Sequence, residues 1–233
     1  MLPQLAKLKG IALNLLFPQW CLGCGREGDL ICHPCRSTLP RVMPPLCPRC
    51  GKPQPSGILC PACVSWQSEI DNIRSPFRFE GVIRQAIHQL KYRNLRALAE
   101  LLAEFLYDYL VANPIPGEVL VPVPLHQKRL RERGYNQSNL LSRELGKLAN
   151  LPVVADCLIR QRHAPPQART ATLDERQNNV ADAFTCRDKG LQDRQVLLID
   201  DVTTSGATLD ACAVALKASG ATSVWGLTLA REI

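Results

Sequence analysis

The chain has 233 residues, enough for one large domain or two modest ones, and its 46% hydrophobic and 21% charged content is that of a globular protein. No apolar run approaches the ~20 residues that span a bilayer, so no membrane insertion is expected. The formal charge of +7 invites a nucleic-acid reading, but it shrinks once the cysteines are considered.

The chain opens with Met1–Phe17, where Leu5, Leu8, Ala12, Leu15 and Leu16 predict an amphipathic helix docked on its own domain. No small-residue cleavage site precedes the cysteines, so a signal peptide is not expected. Four C-x-x-C pairs follow: Cys21/Cys24, Cys32/Cys35, Cys47/Cys50 and Cys60/Cys63. In a chain read as intracellular, such knuckles are zinc ligands rather than disulfides. With eight thiolates there is no open position at either site, which fits structural metal rather than catalysis. Successive pairing gives a double zinc ribbon, the expected arrangement; the spacing alone also permits a cross-braced pairing. Residues 1–65 carry seven basic and two acidic side chains, or +5, and the remainder +2. Two Zn²⁺ on eight thiolates bring the whole chain to about +3, only mildly basic.

Residues 1–65 form the expected N-terminal helix and double ribbon, and a second domain is expected over 75–233. Ser75–Gly81 reads as a short strand and turn. Val82–Tyr92, Leu95–Ala112, Asn136–Leu148 and Ala207–Ala218 have helical spacing. Val119–Val123, Gln195–Ile199 and Ser223–Ala230 are non-alternating apolar runs suited to buried strands. Helices alternating with such strands predict an α/β fold, a parallel sheet flanked by helices.

Val196-Leu-Leu-Ile-Asp-Asp-Val-Thr-Thr-Ser-Gly-Ala-Thr208 is the most specific segment. A buried strand delivers Asp200 and Asp201 to its carboxyl end, where open parallel sheets bind ligands. Thr203, Thr204, Ser205, Gly206, Ala207 and Thr208 then offer hydroxyls and backbone N–H groups at a helix start, suited to an anion. Adjacent carboxylates would repel that anion directly. They suit vicinal ribose hydroxyls one sugar further on. This segment resembles the phosphoribosyl pyrophosphate (PRPP) signature of type I phosphoribosyltransferases.

A second loop follows Val119–Val123. In the resembling fold, the loop at this place receives the pyrophosphate, which implies Val123, Pro124, Leu125, His126 and Lys128 as PRPP contacts. Lys128, Arg129, Arg131 and Arg133 supply cations, and charge on a departing pyrophosphate would be stabilised by them. From Leu125 to Arg176 ten basic residues face five acidic ones. The stretch Arg160–Phe184 reads as a lid over the diphosphate or a nucleic-acid surface, although it lacks aromatic interleaving.

The whole chain resembles the ComF family. The resemblance rests on the four knuckles, Ile87-His-Gln-Leu-Lys-Tyr92, Val121-Pro-Val-Pro-Leu-His126, Arg131-Glu-Arg-Gly-Tyr-Asn-Gln137, Asn178/Asn179 with Phe184, and Ile199–Thr208. It implies a cytoplasmic bacterial protein associated with natural competence and the handling of incoming single-stranded DNA, working with PRPP, Mg²⁺ and DNA-uptake proteins. In a transferase reading, Asp200, Asp201, Arg129 and Arg133 are the catalytic residues. Two other readings compete: a non-enzymatic module that senses PRPP or binds single-stranded DNA, and a purine-salvage transferase. The latter is disfavoured by the 25 residues left after Thr208. No acceptor pocket is identifiable in the sequence.

Overall fold

The computed structural model describes residues 19–161, 183–187 and 190–233. The expected N-terminal helix and most of the Arg160–Phe184 segment lie outside these residues.

Two short helices, α1 (His33–Ser37) and α2 (Pro61–Ser65), each follow directly on a cysteine and carry proline in the first turn. Proline is tolerated there because the N–H it lacks would have no helical partner. The sheet begins at Asn72 with β1 (Asn72–Arg74) and β2 (Phe77–Arg78), which share one edge. Helices α3 (Gly81–Tyr92) and α4 (Leu98–Ala112) follow, then β3 (Val119–Pro122). Next come α5 (Gln127–Arg133) and α6 (Gln137–Ala149). An antiparallel pair, β4 (Leu158–Arg160) and β5 (Phe184–Cys186), precedes β6 (Gln195–Thr203), α7 (Ala207–Ala218) and β7 (Ser223–Arg231).

The main sheet has the order β1–β7–β6–β3, with β2 also on β7, and every pairing is parallel. Pro152–Val154 adds one more parallel bridge beyond β3. Along β6, Val196 and Leu198 face a core built with α7, while Leu197 and Ile199 face a core built with α3, α4 and α6. Both faces are covered, which is why these strands show no apolar–polar alternation.

The expected strands and helices that fall within the described residues are present, and β1, β4, β5, α1 and α2 add to them. The basic segment after β3, expected as a loop, contains a helix, α5. Its sequence has no apolar stripe: Leu130 is its single apolar residue and is exposed. Caps hold it instead. The His126 ring accepts a hydrogen bond from the Lys128 N–H, and Gly134 closes the end in the left-handed conformation. The strand expected over Gln195–Ile199 also runs on to Thr203, paired with β7 throughout. Among the described residues, no helix is long and apolar enough to cross a membrane.

Candidate functional site: an acid pair and hydroxyl loop braced by a cysteine ribbon

The eight knuckle cysteines gather into two groups, Cys21, Cys24, Cys32, Cys35 and Cys47, Cys50, Cys60, Cys63, with the sulfurs of each group within 4.8 Å of one another. The pairing is therefore successive, not cross-braced. Backbone N–H groups point at sulfur in both: Cys32 donates to Cys21 Sγ and Cys60 to Cys47 Sγ, each at 3.4 Å. Such bonds favour thiolate, the form that binds metal. Four thiolates in a closed set fit tetrahedral zinc. The two groups differ in setting. Cys24 is exposed, whereas all four sulfur-bearing residues of the second group are buried.

The second ribbon belongs to the same core as β1, β6 and α7. Arg49 donates through one guanidinium nitrogen to the carbonyls of Cys63 (2.8 Å) and Trp66 (2.6 Å). Asp210, in the first turn of α7, accepts from the N–H groups of Glu69 and Ile70 at 2.8 and 2.9 Å. Trp66 thereby lies against the loop that starts α7. A methyl group on Gly206 would come within 2.9 Å of the Trp66 ring and 2.6 Å of Ile73 Cδ1. Gly206 also has φ +90, so both space and backbone require glycine there.

That loop forms a cradle of about 50 Å³ lined by Asp200 and by residues Val202 to Leu209. It leaves the carboxyl end of β6. Pro122 of β3 pairs with Ile199 of β6, so the Val123–His126 segment leaves the adjacent strand at the same end. Asn136 fixes that segment by donating to the Val123 carbonyl at 2.9 Å. The two expected ligand loops are thus neighbours.

The acid pair is held from two helices. Lys91 of α3 meets Asp201 at 2.6 Å, and Ser138 of α6 donates to Asp200 at 2.8 Å. The Asp201 N–H also donates to Asp200 at 2.9 Å. Asp201 is buried and Asp200 half-buried. Burial pushes the Asp200 carboxyl up from 3.8 to about 7. The charge of Asp201 adds to this, while Lys91 and Ser138 hold it back. A raised carboxyl means the folded state keeps its proton longer than the unfolded chain does. As pH rises from about 4 to about 7, the unfolded state releases that proton first, and this group's contribution to stability falls; above pH 7 it changes no further. A carboxyl-carbon NMR titration should find Asp200 near pH 7, and Lys91→Met should move it higher still. A midpoint near 4 in the native chain would sink this account.

Arg129 and Arg133 line a larger cavity of about 640 Å³ together with Lys91, Tyr92, Asn94, Glu132 and Tyr135. Lys128 is not part of that lining; it is exposed on α5. Of the expected lid residues, Arg160 is described: its guanidinium stacks on Phe184 at 5.4 Å. Lys91, Ser138, Trp66 and Asp210 were not foreseen as site residues. Lys91 does lie in the Ile87–Tyr92 motif, but nothing local ties it to an acid 110 positions away.

A parallel sheet with paired acids and a hydroxyl-rich loop at one strand's carboxyl end, and a basic helical segment after the next, is an α/β domain of the phosphoribosyltransferase type. Residues 12–64 match the double zinc ribbon domain. The chain is 29% identical over 215 residues to competence protein ComFC of Bacillus subtilis, covering 89% of this chain and 86% of that one. It is 30% identical over 213 residues to the DNA utilization protein YhgH of Salmonella typhi, covering 87% and 91%. The chain belongs to the ComF family. Solved structures show a partial likeness. An adenine phosphoribosyl transferase from Trypanosoma brucei is 17% identical over 60% of this chain and 66% of that one, with a TM-score of 0.38. Glutamine PRPP amidotransferase from B. subtilis gives 17%, 63%, 26% and 0.35, so the chain spans about a quarter of that enzyme.

Proposed function

We propose that this chain binds PRPP with Mg²⁺ at the carboxyl ends of β3 and β6, and that it serves the cytoplasmic handling of single-stranded DNA. The observation that carries the PRPP reading is the seating of Asp200 and Asp201 beside the Thr203–Thr208 cradle, one strand away from Val123–His126. In this reading Thr203, Thr204, Ser205, Gly206, Ala207 and Thr208 take the 5-phosphate. Asp200 and Asp201 accept from the ribose hydroxyls. Val123, Pro124, Leu125, His126 and Lys128 meet the diphosphate. The carboxylates and hydroxyls suit Mg²⁺, a hard cation that takes oxygen ligands. Direct ligation by Asp201 would compete with Lys91, so Asp200 is the better placed of the two. Each tetra-cysteine group holds one structural Zn²⁺.

Arg129 and Arg133 would stabilise negative charge on a departing pyrophosphate if a nucleophile displaced it from the anomeric carbon. In that step the bond from the anomeric carbon to the pyrophosphate oxygen breaks, and the oxygen leaves with the electron pair. The names of the two relatives, which speak of competence and DNA utilization, support the DNA half of the reading.

Calorimetric titration of PRPP with Mg²⁺ tests it. The native chain should bind, and a chain carrying Asp200→Asn and Asp201→Asn should lose binding while keeping its fold by circular dichroism. No binding by the native chain would leave the motif as scaffold only.

A further inference from the structure

Helix α3 buries Ile83, Ala86, Ile87 and Leu90 and turns a second stripe outward. Arg84, His88 and Tyr92 are spaced four residues apart, so they share one face, and all three are exposed. Their contacts form a continuous ladder. The Arg84 guanidinium lies 5.9 Å from the centre of the Phe79 ring. Phe79 stacks with His88 at 6.0 Å, and His88 meets Tyr92 edge-on at 5.7 Å. Arg133 then sits over Tyr92 at 5.4 Å. Beside this end, Arg96 covers Tyr135 at 4.6 Å. Arg93 and Arg96 are exposed in the segment that follows α3. The ladder ends in the 640 Å³ cavity, whose Lys91 holds Asp201. The acids on this track are Glu132 in the cavity and Glu80, which pairs with Arg78 at 3.5 Å.

We propose that this stripe is the seat of one nucleic-acid strand, running from Phe79 along α3 into the cavity beside the acid pair. Exposed rings offer stacking platforms that every base can use, and the interleaved guanidinium groups meet the phosphates. A duplex stacks its bases inward and cannot use the rings, so the face selects a single strand. This deepens the DNA half of the function proposed above, and it gives that half a location separate from the ribose-phosphate cradle. It also places one nucleotide at the cavity next to Asp201, where an acceptor would have to stand.

The test is fluorescence anisotropy of a labelled oligothymidine with the full chain, alongside PRPP calorimetry on the same preparations. An Arg84→Gln, His88→Ala chain and a Tyr92→Leu chain should each bind the oligonucleotide about tenfold or more weakly. The first should keep native PRPP binding, since it touches neither the cradle nor the cavity. Its salt dependence should also be shallower by about one phosphate contact. Native affinity in both variants would overturn the proposal. So would absence of oligonucleotide binding, equal affinity for a duplex, or displacement by polyglutamate at equal charge, which would mark an acidic protein surface as the partner. Loss of PRPP binding in the native chain would instead fault the cradle reading and leave the strand measurement intact.

Discussion

A Cys60→Ser chain is expected to lose cooperative folding of the whole described protein, and with it the Thr203–Thr208 loop that starts α7. The ribbon segment is too poor in apolar residues to build its own core, so ligation supplies its folding free energy. That term is on the order of 10 kcal/mol per structural zinc site. A domain of this size is stable by only about 5–15 kcal/mol in total. The loss cannot stay local, because Cys47, Cys50, Cys60 and Cys63 share a core with Ile73, Val196 and Leu209. Trp66 and the Asp210 bonds to Glu69 and Ile70 carry it to the Gly206 loop. A Cys24→Ser chain should be affected less, since that cysteine is exposed at the far ribbon. Thermal unfolding with zinc quantification checks both. A Cys60→Ser chain that melts like the native one would refute the coupling.

Arg231→Met is expected to cost about 3–5 kcal/mol, the range for removing one partner of a buried charge pair. Arg231 is 1% exposed at the end of β7. It donates to the Cys50 carbonyl. Burial lowers its proton affinity, and the four cysteines of the second ribbon raise it. A zinc ion on four thiolates leaves a formal charge of −2, and this guanidinium is a buried counter-charge beside it. Methionine fills much of the space but leaves that charge uncompensated. Arg231→Lys should rescue only partly, because an ammonium lacks the planar fork. Urea unfolding of zinc-loaded protein measures this. A cost below about 1 kcal/mol, or full rescue by Arg231→Lys, would argue against the pairing.

Much of the architecture was legible because it rests on local pattern. Val196–Ile199 and Val119–Val123 read as buried strands from their apolar runs alone, and the α3 and α4 stripes from their spacing. The acid pair and hydroxyl loop were legible for the same reason: Asp200 to Thr208 are contiguous, so chain order keeps them together. Helix α5 was missed because caps and tertiary neighbours, not an apolar stripe, hold Gln127–Arg133 in place. The rings that interleave with guanidinium groups are Phe79, just before α3, and His88 and Tyr92 on it, joined by packing that no local pattern announces.

By itself the sequence determined the zinc-type knuckles, the α/β class and the acid pair with its hydroxyl loop, since each is written in consecutive residues or fixed spacing. Only the tertiary structure decided which cysteines share a site, that Lys91 and Ser138 hold the two acids, and that Arg231 backs the second ribbon. The contacts of Lys91, Ser138 and Arg231 join residues 62 to 181 positions apart. No periodicity or local propensity encodes such pairs; they follow from which faces the sheet order brings together.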